Sequence, residues 1–328
     1  MARSLATVGA RLDVPRRGGV MRKILPALLI VVGTFFLVVA IVALTWVPGQ
    51  VERTPLDTDN VTDLSGTAGV FSGGDALDEG PVKAWSTNAV DSEASDDDNV
   101  VFNTSLCLVH DEGGIDGCVD ADDPQGRLIS AETTLFVTDR HTAMTVDNDG
   151  YLPETAPQLE GLQNKWPFDA QKKAYPVWDD IIAGTVEAEY LGEDEIDGLK
   201  VYKYEYHATA DSVVVAGDIT GTYDATYTFY IEPRTGSIIK QVVHQERVAD
   251  NGTPLLELDL AFTDEQVQKN VDDANEAIST LRLLEDIVPI VGLAAGIPLI
   301  LLGLALLLLA RRRRTAAPAD QPKATAGA

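Results

Sequence analysis

The sequence predicts a mainly β domain, an antiparallel meander curved into one sheet and followed by an amphipathic helix, held between two transmembrane α-helices. Three observations carry this. Residues 24–47 and 287–310 each lack a charged side chain, and about 20 apolar residues cross a bilayer as a helix. Between them, apolar and polar residues alternate in runs separated by Gly, Pro, Asn and Asp, the pattern of strands and turns. After residue 262 the period changes to that of a helix.

The flanks of the two spans set their orientation. Arg16, Arg17, Arg22 and Lys23 precede the first, and Arg311, Arg312, Arg313 and Arg314 follow the second. Lys and Arg beside a span stay on the cytoplasmic side. The expected order is a basic cytoplasmic tail (1–23), a first span (24–47), an extracytoplasmic β-rich domain (48–286), a second span (287–310) and a basic cytoplasmic tail (311–328). The first apolar run exceeds the roughly 7–15 residues of a signal-peptide core, so it reads as a retained anchor. Met21, followed by Arg22 and Lys23, reads as a natural start, which leaves residues 1–20 as an extension.

The formal charge is −26 at pH 7, and every Asp and Glu except Asp13 and Asp320 lies between the spans. Such a surface repels nucleic acid and anionic headgroups. It reads as a solvated face rather than a ligand set. The chain has 2 cysteines, Cys107 and Cys118, in a loop rich in Gly and Asp. Outside the membrane they are expected to form a disulfide that staples this loop. Zinc needs more ligands than two thiols. The Asp147-Asn148-Asp149-Gly150 turn places its glycine too early for an EF-hand loop. No metal or cofactor is expected. His110, His141, His207 and His244 form no metalloprotease motif, and no serine elbow, P-loop or dinucleotide glycine pattern is present. The chain is therefore not expected to be an enzyme.

Along the outer segment, residues 49–132 read as loops with short strands at 100–102 and 106–109. Strands are expected at 133–138, 143–146, 185–191, 199–209, 223–231, 237–248 and 255–262. In the fourth of these, Tyr202, Tyr204 and Tyr206 alternate with Val201, Lys203, Glu205 and His207, so one face is aromatic and the other polar. Thr263 and Gln266 form a capping-box pattern, and Val267, Val271, Ala274, Ile278 and Leu281 follow at helical spacing. Pro289 and Pro298 are expected to kink the continuation. Gly292 and Gly296 form a small-residue pair that seats either the first span, near Gly33 and Ala40, or a second copy in a homo-oligomer.

The stretch KWPFDAQKKAYPVWDD (165–180) gathers aromatic, basic and proline residues in an acidic chain. Trp166-Pro167 and Tyr175-Pro176 each push the ring-bearing residue into extended geometry, as suits a strap whose rings dock on a sheet. Lys165, Lys172 and Lys173 are expected to pair with the acidic surface. Trp166, Phe168, Tyr175 and Trp178 of the strap, with Tyr202, Tyr204, Tyr206, Tyr227 and Phe229 of the strands, read either as the core or as the lining of an apolar ligand site, such as a lipid pocket.

EGLQNKWPFDAQKKAYPVWDD (160–180), EYLGEDEIDGLKVYKYEY (189–206), YIEPRTGSII (230–239) and VTDR (137–140) together make the chain resemble the actinobacterial PorA family. The resemblance covers most of residues 22–310, while 49–132 and both tails carry none of these motifs. It implies one helix at each end of an exterior domain and, by the family name, a porin. The residues point elsewhere. Porin strands carry an apolar lipid-facing band and aromatic girdles, repeated about every ten residues, and the strands here are fewer and acidic. Two readings stand: a doubly anchored binding or scaffolding protein of the cell envelope, for a lipid, another apolar ligand or a protein partner, and a pore-forming membrane protein.

Overall fold

The computed structural model describes residues 18–74 and 76–315. The basic tails expected at 1–23 and 311–328 therefore lie mostly outside the described residues. In chain order the elements begin with α1 (Gly18–Thr45), α2 (Pro48–Val51), β1 (Asp59–Phe71), β2 (Leu77–Asp91), β3 (Asn99–His110), β4 (Leu128–Asp139) and β5 (Tyr175–Asp179). There follow β6 (Gly184–Ile196), β7 (Leu199–Ala216), β8 (Ile219–Ile231), β9 (Ile238–Ala249), β10 (Pro254–Phe262), α3 (Asp264–Leu281), a π-helical turn (Arg282–Ile287) and α4 (Val288–Thr315). They form two compact units, one helical and built from both ends of the chain, the other Gly49–Leu281.

The second unit is a 10-stranded sheet in the order β4-β3-β2-β1-β10-β9-β8-β7-β6-β5, curved into a half-barrel. Neighbours in the sheet are neighbours in sequence, apart from β1, which pairs with β10 so that Leu64 faces Phe262. The segment read as loops with short strands holds β1 to β3 and the start of β4. Gly66, Gly69, Gly80 and Pro81 stand inside β1 and β2, which hid these strands. A Cβ on Gly66 would lie 1.9 Å from the Asp259 carbonyl oxygen, so only a bare backbone lets β1 approach β10 there. Pro81, within β2, has no N–H to pair, and its carbonyl accepts the Asp111 N–H. Cys107 and Cys118 are joined as expected.

The two edges of the sheet meet at one end through single bridges. Leu162 donates its N–H to Pro176 O (2.8 Å) and accepts from Trp178 N–H (3.0 Å), which covers β5. Leu162 also bridges Met144, and Thr145 bridges Thr138 on β4. Residues 143–146, expected as a strand, supply only these bridges. Ala143, at φ 57°, turns the chain back on β4 before a strand can extend.

α3 lies on one face of the sheet, where Val267, Val271 and Ala274 pack with Leu199, Val201 and Ile239. Thr263 Oγ1 accepts the Gln266 N–H (3.1 Å), one half of the capping box. The other half is spent on the sheet, since Gln266 Oε1 accepts the Asp63 N–H (3.1 Å). This ties the helix start to β1.

In the helical unit, α1 and α4 pack tightly. A Cβ on Gly296 would stand 2.8 Å from Gly33 O, and one on Gly292 would stand 2.8 Å from Phe36 O and from Ala40 Cβ. The small-residue face of α4 is thus occupied by the chain's own first helix, not left for a second copy. Pro289 offers no N–H to the preceding turn, and the π-helical turn ends just before it. Both helices contain a stretch long and apolar enough to cross a membrane. Gly296→Leu should force α1 and α4 apart, lowering the melting temperature of the helical unit in detergent. Gly49→Leu, where a Cβ meets nothing within 4 Å, should leave that temperature unchanged.

Candidate functional site

The strap docks on the turn between β8 and β9. Glu232 Oε2 accepts the Thr235 N–H (2.7 Å) and hydroxyl (2.7 Å), and Oε1 accepts the Arg234 N–H (3.0 Å), which shapes the turn. Trp166 N–H then donates to Gly236 O (2.8 Å), and Ala170 N–H to Pro233 O (2.7 Å). A Cβ on Gly236 would lie 2.1 Å from Trp166 O, and its φ is +72°, so glycine is required twice over. The motifs 160–180 and 230–239 are therefore two halves of one contact.

The rings of the strap and strands are largely packed on one another. Trp166, Tyr175, Tyr204, Tyr206 and Phe229 are buried in one cluster, with Tyr202 and Tyr227 partly buried against it. Trp166 lies 4.8 Å from Phe229 and 5.5 Å from Tyr204, centroid to centroid. The Tyr204 hydroxyl donates to Gln171 O (2.6 Å), and Gln171 N–H donates to the Tyr175 hydroxyl (2.8 Å). Trp178 and Phe168 stand apart. Trp178 packs beside Phe102, Phe136 and Leu159, because successive β5 residues face opposite ways. Phe168 stacks on His141 (6.0 Å) with Lys165 Nζ 3.8 Å above its ring. Of the three lysines expected on carboxylates, Lys172 pairs with Glu193. Lys165 and Lys173 instead sit over the Phe168 and Tyr175 rings, and burial pulls Lys165 down to about 7.

A polar network adjoins this core. Asp179, buried at the end of β5, accepts the N–H groups of Ile181 and Ile182 (3.0 Å each) on Oδ1. Its Oδ2 accepts the hydroxyls of Tyr223 (2.9 Å) and Tyr206 (3.3 Å). Gln245 Nε2 donates to the Tyr223 hydroxyl (3.2 Å), and its Oε1 accepts from Arg247 Nε (3.1 Å) and Nη2 (2.9 Å). Arg247 Nη1 donates to Val215 O (2.9 Å). Burial raises the hydroxyl pKa values of Tyr206, Tyr223 and Tyr227; the neighbouring Tyr227 adds to it at Tyr206 and Tyr223, and the Asp179 charge adds to it at all three.

Two carboxyls from opposite sheet edges face this network. Glu132, on β4, is raised by burial and by the charge of Asp180, against the pull of Arg247. Asp180, next to β5, is raised by burial and by Asp179, against a hydrogen bond from Trp178 Nε1. Solvent reaches both, yet the protein atoms packed around each displace part of the water that would hydrate its charge. The sequence signal for this site was the period of β9. Gln245 and Arg247 follow Val243 at inward positions, where an apolar residue is the rule.

The opposite face is charged and wet. His207, Thr226, His244 and Asp259 form one cross-strand row. His244 Nδ1 lies 2.8 Å from Asp259 Oδ1, which holds the imidazole above its ordinary range. Asp224, Glu246 and Glu257 occupy the next row, all exposed. Among the described residues no group of His, Cys, Asp and Glu is arranged to hold a metal ion.

Two apolar helices joined to a β unit with a wet outer face define a membrane protein anchored by helices. Residues 25–305 match the family model described as Porin PorA, and the chain belongs to that family. It is 25% identical over 219 residues to a Porin PorA of Corynebacterium amycolatum, covering 56% of this chain and 57% of that protein. It is 26% identical over 225 residues to a Porin PorA of Corynebacterium resistens, covering 56% of this chain and 52% of that one. The chain thus matches little more than half the length of these relatives.

Trp166→Ala should destabilise the β unit by about 3–5 kcal/mol in denaturant melts. Trp166→Phe should cost less, because the buried indole N–H has no acceptor. An acid raised in the folded state loses stability as pH climbs from its unfolded value, about 3.9 for Asp, through the folded one. Asp180→Asn should therefore raise the melting temperature near about pH 7 and leave it unchanged near about pH 3.

Proposed function

We propose that this Porin PorA family member is a doubly anchored envelope protein whose β unit works in water, outside the membrane, as a binding or scaffolding module. The observation that carries the reading is the set of exposed carboxylates Asp224, Glu246, Glu257 and Asp259, in two adjacent cross-strand rows on the outer face of the sheet. A strand wall around a membrane pore turns that face to lipid, where ionised side chains are strongly disfavoured. The Lys and Arg beside the two spans support cytoplasmic termini. The aromatic rings fill their own space, which favours a protein partner or polar ligand over a lipid held among them. In this reading the protein binds and does not catalyse.

The second reading is pore formation, favoured by the printed names of the two relatives. A pore would then run through assembled helices rather than through the sheet. Purified full-length protein in planar bilayers separates the two. The scaffold reading expects no channels above the detergent control. Reproducible unitary conductance, lost in Gly296→Leu, would overturn it. Protease added to right-side-out vesicles should degrade 48–286, and full protection of that segment would refute the orientation.

A further inference from the structure

We propose that the outer edge of β4 receives an extended segment of a partner protein as an added strand, with one Lys or Arg set opposite Glu132. This deepens the binding reading by naming the partner's chemistry. It starts from the backbone. Val137 O accepts the Val146 N–H, and Asp139 N–H donates to Met144 O, so odd-numbered residues of this stretch turn their polar groups away from β3. Thr134 O, turned the other way, accepts the hydroxyl of Thr104 on β3. By the same alternation Ala131, Thr133 and Leu135 offer N–H and C=O outward, and no described residue pairs with them. Ser130, Ala131, Glu132 and Thr133 are all exposed.

Natural sheets blunt such an edge with Pro, Lys or a covering segment. Residues 128–136 contain neither Pro nor Lys. The other edge of the sheet is treated differently, since β5 is short, contains Pro176 and is covered by Leu162. The open edge is therefore confined to one place.

Charge selects the occupant. Glu132 stands opposite Leu106, on the face of the sheet that carries Leu108, Val243 and Tyr227, and there it feels the charge of Asp180. Directly opposed residues of paired strands project on the same face. A basic side chain opposite Glu132 thus reaches the same space and relieves the repulsion between the two carboxyls. An acidic or purely apolar strand gains the backbone bonds without this contact.

The test uses full-length protein in detergent and a fluorescent probe, acetyl-Thr-Val-Thr-Lys-Thr-Val-Thr-amide, followed by anisotropy. Saturable binding is expected. Glu132→Gln should weaken it roughly fivefold, the size of a partly exposed ion pair. Glu132→Lys should transfer the preference to the same probe with Glu in place of Lys. Thr133→Pro should abolish binding without lowering the melting temperature, because its N–H points away from β3. No binding at about 1 mM probe, or equal binding to wild type and Thr133→Pro, overturns the proposal. A concentration-dependent doubling of mass without probe, lost in Thr133→Pro, assigns the edge to a second copy and also overturns it. The binding reading has its own test in the bilayer, where a negative result here changes nothing.

Discussion

Leu162 is the residue through which the sheet is closed on itself. Its N–H and C=O both bond to β5, and it bridges Met144 on the way back to β4. A sheet of ten strands has two rows of unpaired backbone groups, and burying either without partners is costly. A single buried residue, bonded on both sides, answers this for the whole of β5. Everything placed by the strap follows from that anchorage. With residue 162 fixed, Trp166 reaches the β8–β9 turn, and Asp179 is delivered beneath Tyr206 and Tyr223 at the other end of β5.

The interior that results is neither uniformly apolar nor uniformly polar. Near the strap the rings of Trp166, Tyr204 and Phe229 interlock. Further along the same face, Asp179, Tyr223, Gln245 and Arg247 form a chain in which each polar group has a partner. A buried carboxylate left alone strongly destabilises a fold, and four donors on Asp179 remove that penalty. Glu132 and Asp180 have no comparable set of donors, and Arg247 and Trp178 Nε1–H offset the effect of burial only in part. Asp179 accepts two backbone N–H groups and two tyrosine hydroxyls, whereas Asp180, one residue past the end of β5, accepts from Trp178 Nε1.

Much of this was legible from the chain. The apolar runs gave both helices, and the Tyr202–Tyr204–Tyr206 alternation gave the inward face of β7. The disulfide followed from its compartment. β1 and β2 were not legible, because Gly66, Gly69, Gly80 and Pro81 interrupt the pattern by which strands are recognised, and β3 showed only as short strands at 100–102 and 106–109. Gly66 answers a demand made by β10, far along the chain, and no local window contains it. The ring cluster was legible as a set of residues but not as a shape. Trp178 looks like part of it in sequence, and strand alternation sends it to Phe102 and Phe136 instead. Gln245 and Arg247 carried a readable signal, polar residues at apolar positions, whose meaning depended on Asp179 arriving from β5.

The pairing of β1 with β10 has a consequence for synthesis. Leu64 waits for Phe262, so nearly two hundred residues, by the ordinary pace of about 5–20 residues per second, separate the appearance of the two partners. Over roughly ten seconds or more the newborn chain holds a four-stranded meander with β1 as a raw margin. Loop closure over that distance adds little entropy beyond that of a shorter loop, so the delay is one of timing rather than of equilibrium. The fold is completed from its last strand inward. A chain truncated just before Pro254 keeps most of its residues and lacks the seam that makes them one sheet.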